Sequence, residues 1–295
     1  MRGAGIAALR HARPGTGRRE GATLARRVQD EPAAHELPVV ILCGGMGTRL
    51  REETEYRPKP MVEIGEQPIL WHIMKIYGAF GVRRFILCLG YKGWEIKQYF
   101  LRYHEKRRDF TLTMDGTRGL DFHNRDGDED WEVTMAETGL DTATGARVKR
   151  IARYVDTPTF FLTYGDAVAD IDVEGLLRFH RTHGRVATVT GVRPTSRYGE
   201  MSVAGDRVIE FHEKPREAGS LVSGGFFVFE RRFLGYLPDD PRLFFELEPL
   251  QRLAREGELH TYVHEGAWYS MDTYRDYLQL NRIWNEGDPP WKIWE

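Results

Sequence analysis

Cysteine is nearly absent: the 295 residues hold two, Cys43 and Cys88. Two thiols make neither a disulfide framework nor a Cys-x-x-Cys zinc pair. Each ends an apolar, strand-like run, where a buried free thiol in a reducing cytoplasm is expected. No apolar stretch approaches the ~20 residues that a membrane-spanning helix needs, so a soluble protein without a membrane partner is expected. Net charge is also nearly absent. Forty-two basic and 44 acidic residues leave -2, which supplies no polycation for a nucleic-acid backbone and no polyanion for a basic partner. A charged ligand must be met by local clusters. No internal repeat is present, and no Gly/Ser- or Pro-rich linker divides the chain after residue 37.

The first 37 residues differ in kind. Seven Arg against four acids give them +3, which leaves -5 for the rest of a chain whose total is -2. With no sustained apolar face and no apolar segment before a cleavage site, they read as a disordered extension or as a start assigned too far upstream. Residues 38–295 are expected to form one domain.

Within that domain, compact β-like runs alternate with stretches of helical period. This is the pattern of an α/β fold built on an open, mostly parallel, Rossmann-like sheet flanked by helices. "PVVIL" reads as the first strand, and Pro68 to Phe80 as a helix with Pro in its first turn and Gly81 near its end. "RRFILCLG" is a second strand, "GWEIKQYFLRYH" a second helix and "FTLTM" a third strand. Asp115 to Asp130 is nearly devoid of apolar residues and reads as an exposed loop, because its acids do not fit the positions of an EF-hand. "WEVTMAE" then reads as strand, "TGARVKRIARYV" as a basic amphipathic helix, and "TFFLTYGDAVAD" as a buried strand with acids at its carboxyl end. "VEGLLRFHRTHG" reads as helix and "VATVTGV" as strand, and an inserted hairpin-like region carries "RVIEFHEKP" and "LVSGGFFVFE". The tail gives helix, strand, turn and a closing helix. His180 and His183 stand at i, i+3 on a helix without a third ligand, which points to a structural role.

The densest signal is Val39 to Met61, "VVILCGGMGTRLREETEYRPKPM". A dinucleotide fingerprint needs G-x-G-x-x-G opening a helix, and a Walker loop needs G-x-x-x-x-G-K-[ST]; the G-G-x-G spacing here fits neither. What remains is a strand whose carboxyl end, Leu42 and Cys43, runs into a turn of Gly44, Gly45, Met46, Gly47 and Thr48. Such a turn can present backbone N–H groups to anionic oxygens. Arg49 adds a planar fork suited to phosphate, and Lys59 a compact charge on a loop stiffened by Pro58 and Pro60. A plain strand-to-helix turn would explain the glycines but not an Arg and a Lys fixed around them. Asp166, with Gly165 before it, falls at the carboxyl end of a buried strand, where open α/β sheets place their ligands.

These residues carry a resemblance. "CGGMGTRLREET…RPKPMVEIGEQPILWHIMKIY", "GYKGWEIKQYF", "TGARVKRIARYV", "FFLTYGDAVADID", "EKP", "GGFFVF", "MDTYRD" and "PWKIWE" resemble, in order and over nearly all of residues 38–295, the sugar-1-phosphate nucleotidyltransferases. They most resemble the cytidylyl branch that acts on glucose 1-phosphate. The resemblance implies a catalytic domain in which a sugar-phosphate oxygen attacks the α-phosphorus of CTP and releases pyrophosphate. That oxygen is already ionised, so the work is positioning and charge stabilisation rather than nucleophile activation.

It further implies Arg49 on the departing pyrophosphate, Lys59 as catalytic residue near the α-phosphate, and Lys214 of "EKP" on the sugar phosphate. Mg2+ would be held by Asp166 and Asp272. Thr142 and Arg147 match nucleotide-contacting positions. An Arg donor can meet cytosine O2 and N3 while carbonyls of the glycine loop accept from the exocyclic amine, and this role is favoured over that of a mere solvated charge on a basic helix. Glu213 would accept from sugar hydroxyls, Gly224 and Gly225 would let the backbone approach the hexose, and Tyr198, Trp268 and Tyr269 would wall it. The resembling enzymes assemble as homo-oligomers. Three departures bear on the hexose: Ala167 where the family has Gly, Ser223 where it has Asn, and "WYSMDT" where it has W-Q-P-M-D-T. The rival functions are a dTTP- or UTP-dependent enzyme of the same class, a non-catalytic nucleotide-sugar sensor, and a nicotinamide-dependent oxidoreductase, the last disfavoured by the missing fingerprint.

Overall fold

The structure is a computed structural model that describes residues 32–115, 119–123, 129–193, 200–204, 207–212 and 221–295. The chain divides into two units, Met1–Ala33 and Ala34–Glu295. In the second, a 3-10 turn at Ala34–Glu36 leads into the first strand, with Ala34 and Leu37 already packed in the core.

Seven strands form the central sheet: β1 (Val39–Leu42), β2 (Arg84–Leu89), β3 (Glu132–Glu137), β4 (Thr159–Tyr164), β6 (Ala187–Val192), β7 (Val222–Glu230) and β8 (Leu259–His264), in the order β8-β6-β7-β4-β1-β2-β3. A short strand β5 (Ala167–Ala169) lies outside it and pairs with β9 (Trp268–Ser270). All neighbours in the sheet are parallel except those of β7, which runs antiparallel to both β6 and β4. β1 explains why such strands read as continuous apolar runs. All four of its residues are buried, and alternate side chains enter opposite layers, Val39 and Ile41 on one face, Val40 and Leu42 on the other.

The first layer is covered by α1 (Ile69–Gly78), α2 (Gly93–Leu101), α4 (Val173–His183) and α6 (Tyr274–Asn285), which contribute Ile73, Ile96, Leu176 and Leu280. The second is covered by α3 (Thr144–Arg150) and α5 (Glu248–Arg255), through Val148 and Leu253. The termini of α4 and α6 follow from local chemistry. Asp172 caps α4 by accepting from Gly175 N–H at 2.8 Å, and Thr273 and Asp276 form a capping box on α6.

Three expectations are corrected. "GWEIKQYFLRYH" is not one helix: it breaks at Arg102, and Tyr103–Arg107 forms a separate short helix. The loop from Asp115 contains a strand, Leu120–Phe122, which pairs with Phe110–Leu112 away from the main sheet. "RVIEFH" does not pair with "LVSGGFFVFE"; its hairpin partner is Glu200–Ala204, while "LVSGGFFVFE" becomes the antiparallel strand inside the sheet. No described helix is long and apolar enough to cross a membrane. His180 faces inward from α4 toward Thr188 at 2.8 Å and Glu230 at 3.2 Å, and His183 stacks on His260, a structural cluster.

The topology fixes where a ligand can sit. From β1 the chain moves out to β2 and β3 on one side, and then returns to place β4 on the other side of β1. At that switch point the loops leaving β1 and β4 diverge, and the crevice between them opens at their carboxyl ends.

Candidate active site

Cys43 N–H still bonds to Cys88 carbonyl at 3.1 Å, and beyond it the chain leaves the sheet. The turn closes when Gly47 carbonyl accepts from Leu50 N–H at 2.9 Å and from the Thr54 hydroxyl at 3.0 Å. Gly47 has φ +61, and a Cβ there would stand 2.7 Å from Thr54 Cγ2. Among the described residues, no backbone N–H from Gly44 to Arg49 has a hydrogen-bond partner. A row of uncommitted donors at the mouth of a cleft is an anion cradle.

Gly44 is required for a different reason. Its carbonyl accepts from Tyr91 N–H at 3.1 Å and Arg147 Nη2 at 3.0 Å, and a Cβ would lie 2.1 Å from Arg147 Nη1. Arg147 is only 4% exposed. Its Nη1 lies 3.0 Å from Leu89 carbonyl, 2.8 Å from Thr138 Oγ1 and 2.8 Å from Gly139 carbonyl, and its Nη2 also donates to Leu140 carbonyl at 3.1 Å. This excludes the solvated charge. Of the glycine-loop carbonyls, that of Gly44 already holds two donors. The guanidinium ties the glycine turn, the end of β2 and the segment after β3 into one rim. Thr142 lies on the same rim and accepts from Arg150 Nη1 at 2.8 Å.

Lys59 enters from below in a 3-10 turn, Lys59–Met61, preceded by Pro58 at φ -68. Its Nζ donates to Asp166 Oδ2 at 2.6 Å and to Asp272 Oδ1 at 2.9 Å; Arg49 Nη2 stands 2.8 Å from the same Asp272 oxygen. Burial pulls the lysine pKa down, but the two carboxylates outweigh it and the net shift is upward. For Asp272, burial works upward, and Lys59, then Arg49, carries the result below the usual carboxylate range. Lys59 and Asp272 therefore favour their charged forms because each is paired. Burial raises the pKa of Cys43, which also lines the site, and pushes Cys88 up to about 12, so neither thiol is a nucleophile.

The two aspartates lie more than a hundred residues apart and meet through a ribbon. After β4 the chain bends at Gly165-Asp166 into β5, which pairs antiparallel with β9 so that Ala167 faces Ser270. Met271 N–H then bonds to Asp166 carbonyl at 2.9 Å. Asp276 accepts from the N–H groups of Asp272 and Thr273 at 3.1 and 2.9 Å and so orients Asp272. Ala167 is an ordinary buried strand residue in this ribbon.

Leu42, Cys43, Gly44, Gly45, Met46, Gly47, Thr48, Arg49, Lys59, Thr142, Arg147, Gly165, Asp166 and Asp272 all line one cavity of about 550 Å³. Gly224 and Gly225 do not line it. Gly225, at φ +79, leaves room for the Tyr164 ring, and Gly224 carbonyl accepts from Trp268 Nε1 at 2.8 Å. Glu213, Lys214 and Tyr198 lie outside the described residues.

Sequence reasoning missed a second layer. Tyr164 and Thr144 line the cavity from the end of β4 and the start of α3, and both donate to Glu246, Tyr164 at 2.7 Å. In sequence, Glu246 is one of two acids in "FFELEP". Nothing local marked it.

Among the described residues, no three His, Cys, Asp or Glu side chains gather as a metal cage. Asp166 and Asp272 nevertheless fit one cation between them, since the Lys59 ammonium occupies that position. Two carboxylates, with remaining positions for phosphate and water oxygens, suit a hard divalent ion.

A glycine turn with open N–H groups at a switch point, a buried lysine and two convergent aspartates suit a phosphoryl-group enzyme. Residues 38–286 match the nucleotidyl transferase family, and the chain belongs to it. It is 46% identical over 260 residues to the glucose-1-phosphate cytidylyltransferase of Salmonella typhimurium, covering 88% of this chain and all of that one. It is 30% identical over 246 residues to a mannose-1-phosphate guanyltransferase of Gibberella zeae, covering 81% of this chain and 62% of that one. In fold it is similar to HddC from Yersinia pseudotuberculosis complexed with GMP-PN, with a TM-score of 0.61 and 23% identity over 84% of this chain and 99% of that one.

Proposed function

We propose that this chain transfers a cytidylyl group from CTP to α-D-glucose 1-phosphate, giving CDP-glucose and pyrophosphate. The observation that carries the reading is the joining, in one cavity, of the open N–H row of the glycine turn to the Lys59–Asp166–Asp272 cluster. The glycine turn receives the β- and γ-phosphates and Arg49 follows the departing pyrophosphate. Lys59 lies against the α-phosphate. One sugar-phosphate oxygen forms a bond to the α-phosphorus, the bond from that phosphorus to the bridging oxygen breaks, and pyrophosphate leaves with the electron pair. No proton need be removed from the attacking oxygen.

Asp166 and Asp272 hold Mg2+, which when bound supplies charge neutralisation between the two anionic reactants. The base lies on the rim that Arg147 organises, with Thr142 beside it. Glu213, Lys214, Gly224 and Gly225 serve the hexose side. The reading extends to a cytoplasmic homo-oligomer, by likeness to the cytidylyl branch. Pyrophosphate release measured across CTP, dTTP, UTP, GTP and ATP with glucose 1-phosphate tests it. CTP is expected to be the best donor; equal or better turnover with dTTP or UTP would assign a different nucleotide.

A further inference from the structure

The cation between Asp166 and Asp272 is an amino-acid side chain. We propose that Lys59, seconded by Arg49, is the resident cation of this carboxylate pair in the nucleotide-free enzyme, and that a divalent ion replaces it only together with a triphosphate. The proposal rests on the reading of Asp166 and Asp272 as metal ligands and concerns the order in which that site fills.

The geometry sets the two cations in competition. Lys59 Nζ lies 2.6 Å from Asp166 Oδ2 and 2.9 Å from Asp272 Oδ1. A magnesium ion would approach those same oxygens to about 2.1 Å, so ion and ammonium would compete for the same lone pairs in contact with each other. Arg49 Nη2, 2.8 Å from Asp272 Oδ1, adds a third claimant.

What the ammonium does on leaving decides the energetics. The Lys59 side chain is only 11% exposed, so without a new anion it would be a buried, unpaired charge. A free divalent ion brings no such anion; a triphosphate does, in the cavity that Lys59 and Arg49 already line. Arg49, 73% exposed, can leave with little loss, because a surface pair contributes little. Lys59 is anchored by a backbone turn between Pro58 and Pro60, so the exchange requires a change of side-chain torsions rather than of the loop. The same motion that opens the metal site delivers the ammonium to the phosphates. Metal occupancy and catalytic-lysine release become one event, which keeps the free enzyme from holding a metal ion without its substrate.

The test titrates full-length protein with Mn2+ and reads free Mn2+ by its paramagnetic resonance signal, with and without a CTP analogue carrying a methylene bridge between its α- and β-phosphates. Binding of Mn2+ to the analogue in solution is subtracted. Wild type is expected to bind Mn2+ about tenfold or more tightly with the analogue than without it. In the free enzyme, Lys59→Met should tighten Mn2+ binding by about tenfold or more. Lys59→Arg should leave it as in wild type, and Arg49→Ala should tighten it by about two- to fivefold. Equal Mn2+ affinity of free and analogue-bound wild type would overturn the exchange, as would equal affinity of wild type and Lys59→Met in the free enzyme. The wild-type comparison stands even where Lys59→Met does not fold, as judged by circular dichroism. Failure of the metal reading looks different: Asp166→Asn and Asp272→Asn would then leave Mn2+ binding in the analogue complex unchanged.

Discussion

The floor of the cavity and the aromatic collar around His72 both bury an ionisable side chain, and they treat its charge in opposite ways. Lys59 is surrounded by two carboxylates, and its pKa stands above that of an ordinary lysine. His72, fully buried on α1, packs against Trp71, Trp284, Trp291 and Trp294 at ring-centre distances of 4.7–6.5 Å. Its Nε2 lies 2.9 Å from Ile64 carbonyl, and burial lowers its pKa to about 4. Burial alone therefore does not decide protonation; the partner does. A charge held in the site is available for phosphate chemistry, while a histidine made neutral is a packing element. The collar also gives the closing "PWKIWE" its purpose, since Trp291 is fully buried there.

The largest effect should come from removing the charge at the floor. Lys59→Ala is expected to lower turnover by about 10²–10³, measured by steady-state pyrophosphate release. A loss confined to the KM of CTP would mean that Lys59 serves binding and not the transition state. At the collar, the sign of the pH effect follows from the lowered pKa. The unfolded histidine, near 6.5, takes up a proton that the folded one refuses down to about 4. His72 thus stabilises the fold fully above pH 6.5, and that contribution fades as pH falls through this window, reaching about 3 kcal/mol. Urea midpoints at pH 7.5 and 4.5 should fall further for wild type than for His72→Asn, and identical drops would show that His72 is protonated in the fold.

The smallest effect should lie behind the wall of the cavity. Glu246→Gln keeps partners for Tyr164 and Thr144 but exchanges charged acceptors for a neutral amide, a loss of about 1 kcal/mol. Roughly a fivefold rise in KM for CTP with unchanged kcat is expected from initial-rate measurements. A change in kcat alone would place Glu246 nearer the chemistry.

The elements with strong periodicity and clear ends were readable. β1 and β2 announced themselves as short apolar runs with Gly soon after, and α1 by Pro68 and an apolar face. The glycine turn was readable because its geometry is local to G-G-x-G and the stiff P-K-P segment. The place of β7 was not readable. Its apolar run suits either direction of pairing, and only β4 and β6 on its two flanks make it antiparallel. The burial of Arg147 was not readable on a basic helix, because the carbonyls that bury it come from Gly44, Leu89, Gly139 and Leu140, four positions on three segments. Glu246 and His72 were hidden for the same reason: each takes its function from neighbours distant in sequence.

The sequence by itself determined the alternation of strands and helices, the glycine-rich turn after the first strand, and which charged residues were candidates for the chemistry, since these depend on neighbours within a few positions. Tertiary structure alone decided which charges meet. Pairing of β5 with β9 brings Asp166 to Asp272 and seats Lys59 between them. Electrostatic energy falls with distance in space and takes no account of distance along the chain, so the ion pairs of these three groups exist only in the folded protein.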